Sequence, residues 1–372
     1  MRGNGRARKK ALAMGICIFL CSGNTGCFPS QKGMEESQRG SYPETAVSEK
    51  KEQAELDFFA MNTYHTFSAY GSGVDTALEE ARDRVLELEA KWSATEENSE
   101  IFQLNHGNGE VISLSCDTAD IRNFTLEIAE KTDGALDPTL YPVLTAWGFT
   151  TKENQIPKAA ELQTLLENTG WEKVSSEGNQ VQIPEGMELD LGAVGKGYAG
   201  DEAAEILKEK GITSALLNLG GNVQAIGSRP GGGSWRLGIR DPSGEGNIGI
   251  LEVSDQAVVT SGNYERYFVG EDGNTYAHIL DPSTGYPVKN GLMSVTVITK
   301  EGKKADALST SLFVMGLEKA ENFWRAHPDF DMILITEEDE IYLTEGIRKT
   351  FACEDPAMSK NIHIIEKSVA DQ

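Results

Sequence analysis

A chain of 372 residues with 39% hydrophobic and 25% charged side chains sits among ordinary globular proteins and has enough apolar material for a sizeable core. Its formal net charge of -24 repels polyanions and argues against nucleic acid as a partner. Three of its five cysteines fall within the first 27 residues, so there is no disulfide framework; Cys116 and Cys353 remain, either as a pair or as two thiols.

Residues 1–26 read as a secretion signal: Arg2, Arg6, Arg8, Lys9 and Lys10 precede an apolar run, Ala11 to Leu20, that is short for a permanent span. Asn24-Thr25-Gly26-Cys27 is similar to a bacterial lipobox, with Asn24 where leucine is usual. That likeness implies acylation of Cys27; plain secretion and a retained signal are the alternatives. Residues 27–57 are rich in Ser, Glu, Lys, Gln and Gly and read as a solvated tether. The body of the chain is expected at 58–353, with a frayed charged tail at 354–372.

Alternating apolar and aromatic residues predict a strand over Phe58 to Tyr70, and the stripe Ala77, Leu78, Ala81, Val85, Leu88, Trp92 predicts a helix over Val74 to Trp92. A second helix is expected from Asp117 or Thr118 to Lys131, a third over Lys158 to Asn168, and one over Tyr198 to Lys210 stopped by Gly211. Val174 to Ile183 reads as a hairpin. Strands are expected over Ala215 to Leu219, Val223 to Ile226, Trp235 to Ile239, Gly249 to Val253, Gln256 to Thr260, Tyr264 to Phe268 and Met293 to Thr299. Helices near Ala305 to Met315 and Glu318 to Ala326 precede a last strand pair, Met332 to Ile335 and Ile341 to Leu343. With no repeat or linker between Phe58 and Phe351, one α+β domain of helices packed on antiparallel-rich sheets is the simplest organisation.

Asp306 and Thr310 are four apart in a predicted helix, so their oxygens share a face, and hard oxygens of that kind suit Mg²⁺. Taken alone, such a pair is more often a helix-terminal acid and a back-bonding threonine. Asp190 to Tyr198 reads as a glycine-rich turn opening a helix, where backbone amides approach a phosphate, but its spacing is not that of a Walker loop. Lys196 gives this turn a cation. His278 precedes the turn Asp281-Pro282-Ser283-Thr284-Gly285 and is the one histidine with polar company. No nucleophile elbow, HExxH or paired CxxC is present.

Met61-Asn62-Thr63, Gly134 to Thr139, Trp147-Gly148-Phe149, Asp190 to Ala199, Asn218 to Asn222, Ser261 to Arg266, His278 to Gly285 and Ala305 to Thr310 occur in one order along the chain. Together they resemble the ApbE-type FAD:protein FMN transferases. That resemblance implies a T-fold-related α+β domain that binds FAD with Mg²⁺ and attaches FMN to a Ser or Thr of an acceptor protein, releasing AMP. By motif position it implies that Ala193 (main-chain oxygen), Asp306 and Thr310 hold the metal, and that Met61, Gly134, Ala135, Leu136, Asp137, Asp190, Lys196 and Ile279 contact FAD. Ser309 stands where some members carry a second aspartate, and Asn62 replaces the usual glycine. His278 is our candidate general base and Lys196 a phosphate ligand. A lipid-anchored enzyme on the extracytoplasmic face of the membrane is implied, serving membrane redox subunits. Water as acceptor would make the same site an FAD pyrophosphatase, and a non-catalytic flavin-binding lipoprotein is the remaining alternative.

Overall fold

The computed structural model describes residues 52–151, 153–354, 359 and 361–367, so the signal segment and Cys27 lie outside the described residues. Among the described residues no helix is long and apolar enough to cross a membrane.

The expected first strand is a hairpin, β1 (Gln53–Ala60) and β2 (Thr63–Tyr70), closed by Met61-Asn62. Both turn residues have positive φ, 47° and 59°, which suits the right-handed twist of a two-residue hairpin. Methionine rarely takes that conformation, so the sequence showed no break there. β1 also starts inside the stretch read as tether: its polar residues face out on an edge strand, and Thr66 and Ser68 bond to Asp57 and Glu55 across the pair at 2.6 and 2.8 Å.

α1 (Val74–Trp92) has the expected limits and buries the expected stripe. A peripheral region follows, with α2 (Glu100–Asn105), β3 (Ile112–Ser113), α3 (Cys116–Lys131), α4 (Tyr141–Ala146), α5 (Ala159–Glu167), β4 (Ser175–Glu177) and β5 (Gln180–Gln182). Ser99 caps α2, accepting the Phe102 N–H at 2.9 Å. Cys116 is an exposed free thiol, which closes off a disulfide with Cys353.

α6 (Gly192–Glu209) leads into the hairpin of β6 (Ser214–Leu219) and β7 (Asn222–Gly227), whose turn residues Gly220 and Gly221 both have positive φ. Next come β8 (Trp235–Arg240), β9 (Asn247–Val253), β10 (Ala257–Gly262), β11 (Tyr267–Val269), β12 (Thr275–Ala277) and β13 (Leu292–Thr299). α7 (Gly302–Met315), α8 (Leu317–Ala326), β14 (Asp331–Thr336), β15 (Ile341–Thr344), β16 (Phe351–Cys353) and β17 (Ile362–Ile365) follow among the described residues. β17 corrects the frayed-tail reading, since it pairs in parallel with β15 through Ile362 and Ile364.

Among the described residues nine strands form one sheet in the order β1-β2-β6-β7-β10-β13-β14-β15-β17, antiparallel except for the last pair. Its central strands are apolar on both faces. In β13 and β14, Val295, Val297, Met332 and Leu334 pack with α7 and α8, while Ile298, Ile333 and Ile335 pack with Trp235, Leu251 and Phe351 of the β16-β9-β8 sheet. Towards β1 the covering helices are α1 and α6. This is the expected α+β architecture, and it stands α6 beside α7 on one face of the sheet.

Candidate active site

The glycine-rich stretch is helical rather than a turn: α6 starts at Gly192, six residues before Tyr198. Glycine costs helix stability, and here the contact explains its presence. A Cβ on Gly197 would lie 2.2 Å from the Gly302 carbonyl oxygen and 2.7 Å from Asp306 Cβ. One on Gly302 would lie 2.5 Å from the Gly197 oxygen. α6 and α7 therefore meet backbone to backbone. At the N-terminus of α6 the Gly192 N–H donates to Asp190 Oδ1 at 2.7 Å.

The close approach brings Asp306 of α7, 3% exposed, against α6. Its Oδ2 accepts the Gly197 N–H at 2.9 Å and its Oδ1 lies 3.6 Å from Lys196 Nζ. The Gly197 N–H belongs to the helical turn that begins at the Ala193 carbonyl, so Asp306 and Ala193 face one turn of α6. Thr310 follows one turn along α7.

Hydroxyls from β10 brace this cluster. Ser261 Oγ lies 2.9 Å from Ser309 Oγ and 3.2 Å from Thr310 Oγ1, and Ser309 donates to the Asp306 carbonyl at 2.9 Å. Each hydroxyl has one proton. With the Ser309 proton on Asp306 O, Ser261 must donate to Ser309, and Thr310 donates to Ser261. The Thr310 oxygen then keeps its lone pairs, while Ser309 has spent its proton structurally. A carboxylate, a hydroxyl with open lone pairs and a main-chain carbonyl are hard donors that fit a divalent cation which keeps some of its water. Among the described residues no group of three or more His, Cys, Asp or Glu offers an alternative centre.

His278 follows β12, and both its N–H and its Nδ1 lie against the Arg266 carbonyl, at 3.0 and 3.2 Å. A carbonyl only accepts, so Nδ1 carries the proton and Nε2 the lone pair. Crowding by surrounding protein, although the residue keeps part of its surface open to solvent, then the Arg266 charge, lower its pKa to about 4, with a further contribution from Lys196. The ring meets Phe149 edge-on, at the margin of an aromatic group of Trp147, Phe268 and Tyr276. Lys196 also bears on Asp190 and Glu265, both of whose carboxyl pKa values are raised chiefly by burial although each keeps surface open to solvent. One ammonium thus acts on α7, on the Asp190 loop and on the segment before β11.

The expected flavin contacts fall on both sides of this centre. Met61, Leu136 and Ala193 share the core cluster beneath α1 and α6, and Met61 N–H donates to Glu89 Oε1 at 2.6 Å. Gly134, with φ 74°, and Ala135 close the end of α3, donating to the Ala129 and Thr132 carbonyls at 2.8 and 3.1 Å. Asp137 accepts from Thr139 N and Oγ1, and the Pro138 carbonyl accepts the Asp190 N–H at 2.8 Å, so this loop is tied to Asp190. Ile279, buried beside Leu308 and Leu312, fixes the strand end that carries His278. The Asp281 carboxylate is turned inward on its own loop, accepting from Ser283 N and Oγ at 2.8 and 2.6 Å.

The ApbE family model matches residues 61–334. The chain belongs to the ApbE family. It is 34% identical over 260 residues, 68% of its length and 80% of the relative's, to the FAD:protein FMN transferase of Klebsiella pneumoniae. The crystal structure of the ApbE protein from Thermotoga maritima superposes with a TM-score of 0.76 at 32% identity, covering 80% of this chain and 99% of that one. The flavin transferase ApbE from Vibrio cholerae gives 0.74 at 29%, covering 81% and 99%. In this ApbE enzyme, the sequence marked Ser261 and Glu265 only as part of the segment Ser261 to Arg266, without a role, and did not mark Asp201. Asp201 had a legible signal, because it lies four residues after Gly197 and so shares its helical face.

Proposed function

We propose that this chain transfers FMN from FAD to a Ser or Thr hydroxyl of an acceptor protein and releases AMP. The observation that carries the reading is the meeting of Asp306 with Gly197 and Lys196, which joins segments about 110 residues apart into one oxygen-lined centre that carries a lysine ammonium. Ala193, Asp306 and Thr310 would hold Mg²⁺; when bound, it neutralises the diphosphate and stabilises charge on the departing AMP. The chain's own residues supply the rest. Lys196 binds the phosphate oxygens that an overall charge of -24 would repel. His278 Nε2 takes the proton of the acceptor hydroxyl as its oxygen bonds to the FMN phosphorus and the bond from that phosphorus to the AMP-side oxygen breaks. Met61, the Gly134 to Asp137 loop, Asp190 and Ile279 orient the flavin.

The direct test incubates the protein with FAD, Mg²⁺ and an acceptor polypeptide, then denatures it. Flavin fluorescence and an FMN mass increment on a Ser or Thr support transfer. Free FMN and AMP without labelled acceptor would replace it with the pyrophosphatase reading, and intact FAD with the binding-protein reading. For location, the basic and apolar leader and the lipobox-like Cys27 support a lipid-anchored enzyme on the extracytoplasmic face, beside membrane redox acceptors. Mass spectrometry of the mature N-terminus should find an acylated Cys27, and Cys27→Ser should release the protein from membranes.

A further inference from the structure

We propose that Asp201 is a positioning residue for the metal-holding carboxylate: it fixes the first turn of α7 on α6 and thereby sets where Asp306 and Thr310 stand. The inference rests on the assignment of those two residues to the cation. Asp201 lies four residues after Gly197 on α6, and Gly302 lies four before Asp306 on α7, so two one-turn steps face each other. Asp201 Oδ1 accepts the Gly302 N–H at 2.6 Å and Oδ2 accepts the Lys303 N–H at 2.9 Å. In the opposite sense, Asp306 Oδ2 accepts the Gly197 N–H at 2.9 Å. Each helix thus lends a carboxylate to the other's main chain, on either side of the Gly197–Gly302 contact.

The first N–H groups of a helix lack partners within it, and a side chain at the preceding position usually supplies one. Glu301 holds that position and makes no such bond. Asp201 therefore caps α7 from a neighbouring helix. A local cap would stabilise α7 equally well, but only a cap from α6 also fixes the height of α7 against the turn that presents Ala193 and Lys196. One helical turn is stiff, so a shift at Gly302 and Lys303 is carried to Asp306.

The test measures Mg²⁺ affinity of the flavin-free protein by isothermal titration calorimetry, alongside the Mg²⁺ dependence of FAD turnover. Asp201→Asn keeps the shape and one acceptor oxygen while setting an amide N–H₂ against the other main-chain donor. It is expected to weaken Mg²⁺ by about 10- to 100-fold, the range for groups that orient metal ligands, with kcat at saturating Mg²⁺ retained. Asp201→Glu, a second variant that keeps the charge on a longer arm, should weaken Mg²⁺ in the same direction. Leu207→Ala, in the buried core of α6, is the control: it should lower Tm without moving Mg²⁺ affinity. Wild-type Mg²⁺ affinity in both Asp201 variants, or equal weakening by Leu207→Ala, overturns the proposal. Failure of the underlying metal assignment reads differently, as unchanged Mg²⁺ affinity in Asp306→Ala.

Discussion

The two halves of the site are built in opposite ways. The α6–α7 seam is closed, with glycines in backbone contact and carboxylates bonded to main chain, and Asp306 is almost fully buried. The β11–β12 hairpin beside His278 is a two-stranded sheet with open edges, and Tyr267 and Val269 on it are 54% and 62% exposed. A centre that holds a cation against a diphosphate gains from rigidity, because its charges must stand in place before the substrate arrives. A base that serves a second macromolecule must stay within that macromolecule's reach. The largest test of this division is Asp306→Ala, expected to lower FAD turnover by about 10³-fold, the scale for losing a preorganised charge. Steady-state kinetics over a Mg²⁺ series decide it; turnover within tenfold of wild type at every concentration would break the comparison on the closed side.

On the open side, His278→Ala should lower transfer to the acceptor by about 10²-fold, the lower end for a general base, and leave Mg²⁺ affinity as in wild type. The pH profile sharpens this. With its pKa lowered to about 4 by crowding and then by Arg266, His278 stays neutral, and therefore basic, throughout the ordinary range. kcat/KM for FAD should hold as pH falls past 6.5 and drop only towards 4. The linked stability has the same sign: with the folded pKa below the ordinary value, it is fully present above 6.5 and declines as pH falls from there towards 4. An acid limb centred near 6.5 would mean that the imidazole is not shielded by Arg266 and its surroundings.

Gly197→Ala tests the seam without removing any functional group. The added methyl meets Gly302 O at 2.2 Å, backbone that moves only if α7 moves. Overpacking of this kind costs about 1–3 kcal/mol, read from denaturant melts, and half-saturation by Mg²⁺ should rise with it. An unchanged melt and unchanged Mg²⁺ requirement would show that the helices part without consequence for the site.

The same residues show what the sequence carried. The stripe of α1 was legible because 19 residues repeat one period, and the shared face of Asp306 and Thr310 was legible because a four-residue step brings two side chains to one side of a helix. The first half of α6 was not, since Gly192, Gly195 and Gly197 signal a turn by propensity, and the backbone contact that explains Gly197 comes from Gly302, more than a hundred residues later. The Met61-Asn62 turn was hidden for a related reason: a methionine at φ 47° has no local signature, and the register of β1 on β2 imposes it. Ser261 was visible only within the segment Ser261 to Arg266, because its role depends on β10 passing under α7. Local periodicity thus gave the elements, while the residues that join them needed the fold.

The smallest expected effect falls on the open hairpin. Val269→Ser removes two methyl groups and adds a hydroxyl, a chemically larger change than the methyl of Gly197→Ala. At a side chain 62% exposed, however, little apolar surface is returned to water and the new hydroxyl is solvated. Stability should stay within about 0.5 kcal/mol of wild type, and FAD turnover and Mg²⁺ affinity should not move. Thermal melts and kinetics on the two variants side by side then isolate position from chemistry: the milder substitution in the seam should cost more than the harsher one on the hairpin. Should Val269→Ser destabilise the fold as much as Gly197→Ala, the hairpin is as tightly built as the seam, and the distinction between a rigid half and an accessible half fails.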